Sequence, residues 1–162
     1  MVEEVRAQYM KHFRMSIRFN KQSPQDFGLT YQQGRFICEQ DGSQWVSRQL
    51  YDFGWGKENG FYRIPLGNFE QLMELVQGKD KEDAYGAAAV IIEEYPTELK
   101  RYLLDLMQHK VRFWNRKRYR VLNCIFALHR GVNLTFQEGM PISVVEAEHQ
   151  QWKEIAKFYS SK

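Results

Sequence analysis

Apolar and polar positions follow two different rhythms along this chain, one before about residue 66 and one after it. Val5, Tyr9 and Phe13 recur at i, i+4, i+8 among strong helix formers, which predicts a helix over Val2–Phe13. Met15–Phe19 (MSIRF) then alternates, as a half-buried strand does. Asn20–Asp26, with Pro24, is a polar turn segment. Phe36–Glu39 and Gln44–Tyr51 predict two strands around Asp41-Gly42, a hairpin cue because glycine accepts the positive φ that tight turns require. Phe53–Gly60 (FGWGKENG) predicts an aromatic, glycine-rich loop. Its Asn59-Gly60 pair is a second hairpin cue, leading into a strand at Phe61–Ile64.

Beyond residue 66 the spacing is helical. Asn68, with Gln71 three residues on, is a capping box for a helix running to about Val76, and Gly78 stops it. Glu82–Glu94 carries a small-residue stripe at Ala84, Ala87 and Ala88 that allows close approach of a neighbour. Pro96 ends that helix and suits the first turn of the next, Thr97–Gln108, with Leu99, Leu103 and Leu106 on its apolar face. Phe113–Arg130 predicts a long helix ended by Gly131. Ser143 and Glu146 form another capping box, opening a last helix at Val144–Tyr159 with Val145, Trp152, Ile155 and Phe158 facing a core. The expected fold is α+β: an N-terminal antiparallel sheet of short strands packed on a C-terminal group of four to five helices. No linker-like stretch divides strand-rich 14–65 from helix-rich 66–160, so 1–162 is expected to be a single domain.

Composition supports a globular chain: 162 residues, 43% hydrophobic and 15% aromatic. No long apolar run suggests a membrane span, and the acidic N-terminus is unlike a signal peptide. Cys38 and Cys124 sit in apolar contexts as buried reduced thiols would, and a cytoplasmic location is expected. The net charge of +3 hides segregation. Residues 61–108 hold five Lys/Arg against nine Asp/Glu; residues 109–130 hold seven Lys/Arg and no acid. Such polarity serves either internal pairing or a charged partner.

No nucleotide-binding, nucleophile-elbow or zinc-protease motif is present. The four histidines lack cysteine partners at zinc spacing. Glu146-x-x-His149 is half of a di-iron motif whose second half does not occur, so no metal and no cofactor are expected. Two binding surfaces remain. The first joins the acids Asp83, Glu93, Glu94 and Glu98 with the aromatic loop residues Phe53 and Trp55, and suits a protein partner. At least one ring among Phe53, Trp55 and Phe61 is expected to be exposed. The second is the run His109–Arg120 (HKVRFWNRKRYR), where Lys110, Arg112, Arg116, Lys117, Arg118 and Arg120 can meet phosphates and Trp114 can stack on a base. A solvated helix face is the plainer reading of both. Glu98 with Arg101, and Lys100 with Asp105, are expected as surface pairs.

The segment DAYGAAAVIIEEYPTELKRYLLDL, Asp83–Leu106, resembles the helix-Pro-helix stretches of small bacterial immunity proteins of toxin–immunity pairs. The resemblance covers about a seventh of the chain and carries no residue roles. It implies a non-enzymatic protein-binding module that blocks a toxin by covering its site. Immunity proteins against nuclease toxins tend to be acidic, whereas this chain is slightly basic, so either its toxin is not strongly basic or the acidic 82–105 face makes the contact. Nucleic-acid binding through 109–120 is the alternative function, ranked second, and an enzyme whose site is assembled only in three dimensions ranks third.

Overall fold

The computed structural model describes residues 13–15, 23–52, 57–110 and 131–160. The fold is α+β, with an antiparallel sheet toward the N-terminus and helices toward the C-terminus. The chain divides into two compact units, Met1–Ala87 and Ala88–Lys162. The division falls inside a helix rather than near residue 66, where the strand pattern gives way to the helical one.

The first unit holds the sheet, in the order β1-β5-β4-β3-β2. Its strands are β1 (Phe13–Met15), β2 (Leu29–Gln32), β3 (Arg35–Cys38), β4 (Gln44–Asp52) and β5 (Lys57–Ile64). Every neighbouring pair is antiparallel. Pairing of Leu29 with Cys38, Phe36 with Trp45 and Ser47 with Phe61 puts alternate residues on one face. Leu29, Cys38, Trp45 and Phe61 are buried there, with Phe27 and Phe36 packed against them. Each such side chain contributes about 1.5–3 kcal/mol by leaving water. The Trp45 indole N–H, buried with its ring, donates to Ser43 Oγ at 2.7 Å.

The Asp41-Gly42 turn forms as expected between β3 and β4. Gly42 has φ 70°, its N–H donates to Cys38 O, and the Asp41 carboxylate accepts the Ser43 N–H at 2.8 Å. Asn59-Gly60 makes no turn. Both lie inside β5, where Asn59 pairs with Gln49 and Gly60 with Arg48 and Met15. Gly60 occupies the point where β5 is flanked on both sides, and its pairing there outweighs a local turn preference. Strand β2 (Leu-Thr-Tyr-Gln) alternates over only four residues and is fixed by β3: Thr30 faces Ile37 and Tyr31 faces Phe36. Pro24–Phe27, expected as plain turn, is a short 3-10 helix. Phe13, the end of the expected first helix, is in β1; the rest of that helix lies outside the described residues.

Helix α1 (Phe69–Gln77) follows the sheet. Its capping box is present: Asn68 Oδ1 accepts the Gln71 N–H at 2.9 Å, and Gln71 Oε1 accepts the Asn68 N–H at 3.0 Å. Helix α2 (Lys81–Glu94) opens with the Asp80 carboxylate accepting the Asp83 N–H, and its Ala84, Ala87 and Ala88 are buried.

The second unit continues α2 into α3 (Pro96–Gln108) and ends with α4 (Ile142–Ser160). Pro96 stands in the first turn of α3, and Leu99 and Leu103 are fully buried. Trp152, Ile155, Ala156 and Tyr159 are the buried face of α4. The Tyr159 hydroxyl donates to Leu103 O at 3.2 Å, tying α4 to α3. Burial, with Tyr102 adding a smaller effect, pushes the Tyr159 phenol up to about 12. Helix α4 begins two residues earlier than its sequence signal. Pro141 O accepts the N–H groups of Val144 and Val145, so Ser143 lies inside the first turn and caps nothing. The expected helix Phe113–Arg130 lies outside the described residues.

Candidate functional site

Four of the five exposed large hydrophobic residues among the described residues fall within thirteen positions: Val132, Phe136, Ile142 and Val144. Ile142 is 78% exposed and Phe136 58%. Scattered surface apolar residues are ordinary, but a concentration in one segment marks a contact surface. The segment is the loop 131–141 together with the first turn of α4.

Two anchors show how the loop lies. At its start, Gly131 takes φ 60° so close to α4 that a Cβ there would sit 3.3 Å from Lys153 Cγ and 3.7 Å from Ala156 Cβ. Four residues on, Thr135 is buried against the helix about one turn nearer its N-terminus. Its hydroxyl meets the Glu148 carboxylate and accepts the Trp152 indole N–H at 3.0 Å. The loop therefore runs back along α4 toward the helix start. Phe136 follows the Thr135 anchor, whose partner Glu148 stands one turn beyond Val144 on α4.

Beneath this surface is a polar cluster with little solvent. Glu148 Oε2 accepts from Lys100 Nζ and from Thr135 Oγ1, joining α4, α3 and the loop at one carboxylate oxygen. Lys100 keeps 8% of its side chain in solvent and Glu148 26%. The hydrogen bond from Lys100, then that from Thr135, hold the Glu148 carboxyl below the usual range against the opposing effect of burial. Asn133 Oδ1 accepts the Thr135 N–H at 3.2 Å, an Asx turn that shapes the loop. Its Nδ2 is buried without a hydrogen-bond partner. A loop fastened by an ion pair, an Asx turn and an indole presents its apolar tip already ordered, which lowers the entropic cost of binding. The rim toward the start of α4 is acidic: residues 136–147 contain Glu138 and Glu146 and no Lys or Arg, whereas Lys153 packs against Gly131 at the start of the loop. Glu138 and Glu146 are exposed.

The residues proposed from sequence are distributed differently. Glu93 and Glu94 are exposed at the end of α2, and Glu98 is half-buried in the first turn of α3. Asp83 is 8% exposed, so it does not belong to an open acidic face. It sits in the first turn of α2, where a carboxylate complements the helix N-terminus. Phe53 and Trp55 lie outside the described residues. Phe61, the third ring of that aromatic group, is buried in the sheet core. Lys110 is exposed, with φ 53°; Arg112, Trp114, Arg116, Lys117, Arg118 and Arg120 lie outside the described residues. Cys38 is buried, and Cys124 lies outside the described residues. Lys100 pairs with Glu148 in the interior, not with Asp105 on the surface. Glu146 and His149 are both exposed, and among the described residues no group of three His, Cys, Asp or Glu is placed to hold a metal ion. No helix among them is long and apolar enough to cross a membrane.

The loop surface was missed in sequence because 131–141 has neither helical nor strand period. One available signal was a run of apolar residues around Gly131, Gly139 and Pro141 with Glu138 and no base among them. Comparison with protein-family models, with curated proteins and with solved structures gave no match.

Proposed function

We propose that the chain is a non-enzymatic protein-binding module whose contact surface is the loop 131–141 with the first turn of α4. The observation that carries this reading is the exposure of Val132, Phe136, Ile142 and Val144 in one ordered segment with an acidic rim. An apolar centre supplies affinity by excluding water, and rim charges select and steer the partner. The rim calls for a partner with a basic border around an apolar anchor. Glu93 and Glu94 add exposed acids elsewhere in the same unit.

In its specific form the proposal is an immunity protein that binds a toxin domain and blocks it by covering its site, with these acids facing a basic toxin surface. Co-expression with the product of the neighbouring gene, scored by growth, tests that form. Protection by the wild type, lost in Phe136→Asp/Ile142→Asp, is the expected result. The broader form is tested by affinity capture with wild type and double variant in parallel, then by calorimetry with the captured protein purified. A partner that binds both proteins equally removes this surface from the function. Salt-sensitive RNA binding in place of a protein partner returns the assignment to the basic run 109–120.

A further inference from the structure

A concave feature lies in the first unit, between the end of β5 and helix α1. It is a cavity of about 550 Å³ lined by Arg63, Pro65, Leu66, Gln71, Leu72 and Leu75, with Gly67 and Glu74 completing the wall. Its size falls within the roughly 300–1,000 Å³ of small-molecule sites. Three leucines and a proline make the walls apolar, with Leu72 fully buried.

Its polar groups come in complementary kinds. Arg63 projects from the core face of β5, directly across from Trp45. Its guanidinium presents a planar fork of donors that matches a carboxylate. Glu74, on α1, supplies an exposed carboxylate to the same cavity. Arg63 and Glu74 both line the cavity and form no ion pair with each other, and the Arg63 charge also acts on the Asp41 carboxyl. Gln71 spends its Oε1 on the Asn68 N–H and keeps its amide nitrogen as a donor. A lone phosphate or fatty acid would satisfy Arg63 but meet repulsion from Glu74. An amine would meet the converse.

We propose that this cavity binds a small zwitterion with an apolar body, a free α-amino acid of the leucine or phenylalanine kind. Arg63 takes the α-carboxylate, Glu74 the α-ammonium, and Leu66, Leu72 and Leu75 the side chain. The site is independent of the loop surface on α4 and rests on different residues.

Calorimetry and thermal shift on the full chain test it, with L-leucine, L-phenylalanine, 4-methylpentanoate and 3-methylbutylamine as probes. One of the amino acids is expected to bind with a sub-millimolar Kd, and each half-ligand at least about tenfold more weakly. Arg63→Gln is expected to weaken amino-acid binding about tenfold or more, and Glu74→Gln to let 4-methylpentanoate bind as well as the amino acid. Leu75→Trp, which fills the cavity, should abolish binding with the circular dichroism spectrum unchanged. Should neither amino acid give heat or a shift at roughly 10 mM, the proposal fails. It also fails if the wild type binds a half-ligand as tightly as the amino acid, a comparison that needs no variant to fold.

Discussion

Glu148 carries the most consequential charge described. One of its oxygens receives both a buried ammonium and a hydroxyl that itself accepts an indole N–H. Glu148→Gln leaves Lys100 charged and nearly dry. Breaking a buried pair costs about 3–5 kcal/mol, and the partial exposure of Glu148 favours the low end, about 3 kcal/mol by urea denaturation. Lys100→Met in the same chain should recover much of that loss, since a long apolar side chain tolerates the site that a lone ammonium does not. The pH dependence has a definite sign. Folding lowers the Glu148 pKa, so its contribution is complete above the ordinary carboxylate value of 4.5 and disappears as pH falls through the lower folded value. Denaturation midpoints measured downward from pH 6 should fall more steeply for the wild type than for Glu148→Gln. Nothing in sequence signalled this pair. Lys100 and Glu148 are 48 positions apart, and local spacing offered Asp105 as the partner instead.

Among elements, legibility followed how locally each one is determined. Helix α1 was readable because its start, cap and stop lie within eleven residues and its capping box closes on itself. Asn68→Ala should cost about 1 kcal/mol, a typical cap loss, with Gln71→Ala costing less. The breaks before α2 and α3 were equally visible as Gly78 and Pro96. Strand β2 was not, because its alternation spans only four residues and its hydrogen bonds go to β3. Asn59-Gly60 misled for the same reason: a local turn preference of order 1 kcal/mol gave way to cross-strand pairing on both sides of β5. The loop 131–141 allows a sharper test of context. Gly131 and Gly139 both have positive φ, but only Gly131 presses on α4. Gly139→Ala should cost about 1 kcal/mol for its backbone alone. Gly131→Ala should cost at least that plus the displacement of Lys153, so its denaturation midpoint should lie clearly below that of Gly139→Ala.

At the scale of the molecule, charge segregation was plain in sequence, and the α+β class with it, whereas the surface offered to a partner was not. Helical and strand periods report which residues leave water; they say nothing of apolar side chains that stay in it on an aperiodic loop. The segregation separates the two partner classes experimentally. Neutralising Arg116, Lys117, Arg118 and Arg120 removes four positive charges from a chain whose formal net is +3. Reversing Glu138 and Glu146 to lysine moves the net charge by the same four units the other way. A nucleic-acid binder would lose affinity with the first change, gain with the second, and weaken steeply with salt. A module that binds a basic-rimmed protein through the loop surface should show the opposite order. The first variant should retain the partner within about threefold, and the second should lose it by about a hundredfold, mostly through slower association and weaker rim pairing. Surface plasmon resonance of all three chains against the captured partner, at two salt concentrations, reads both rate constants. Loss of binding in the arginine and lysine variant alone would move the function to the basic run.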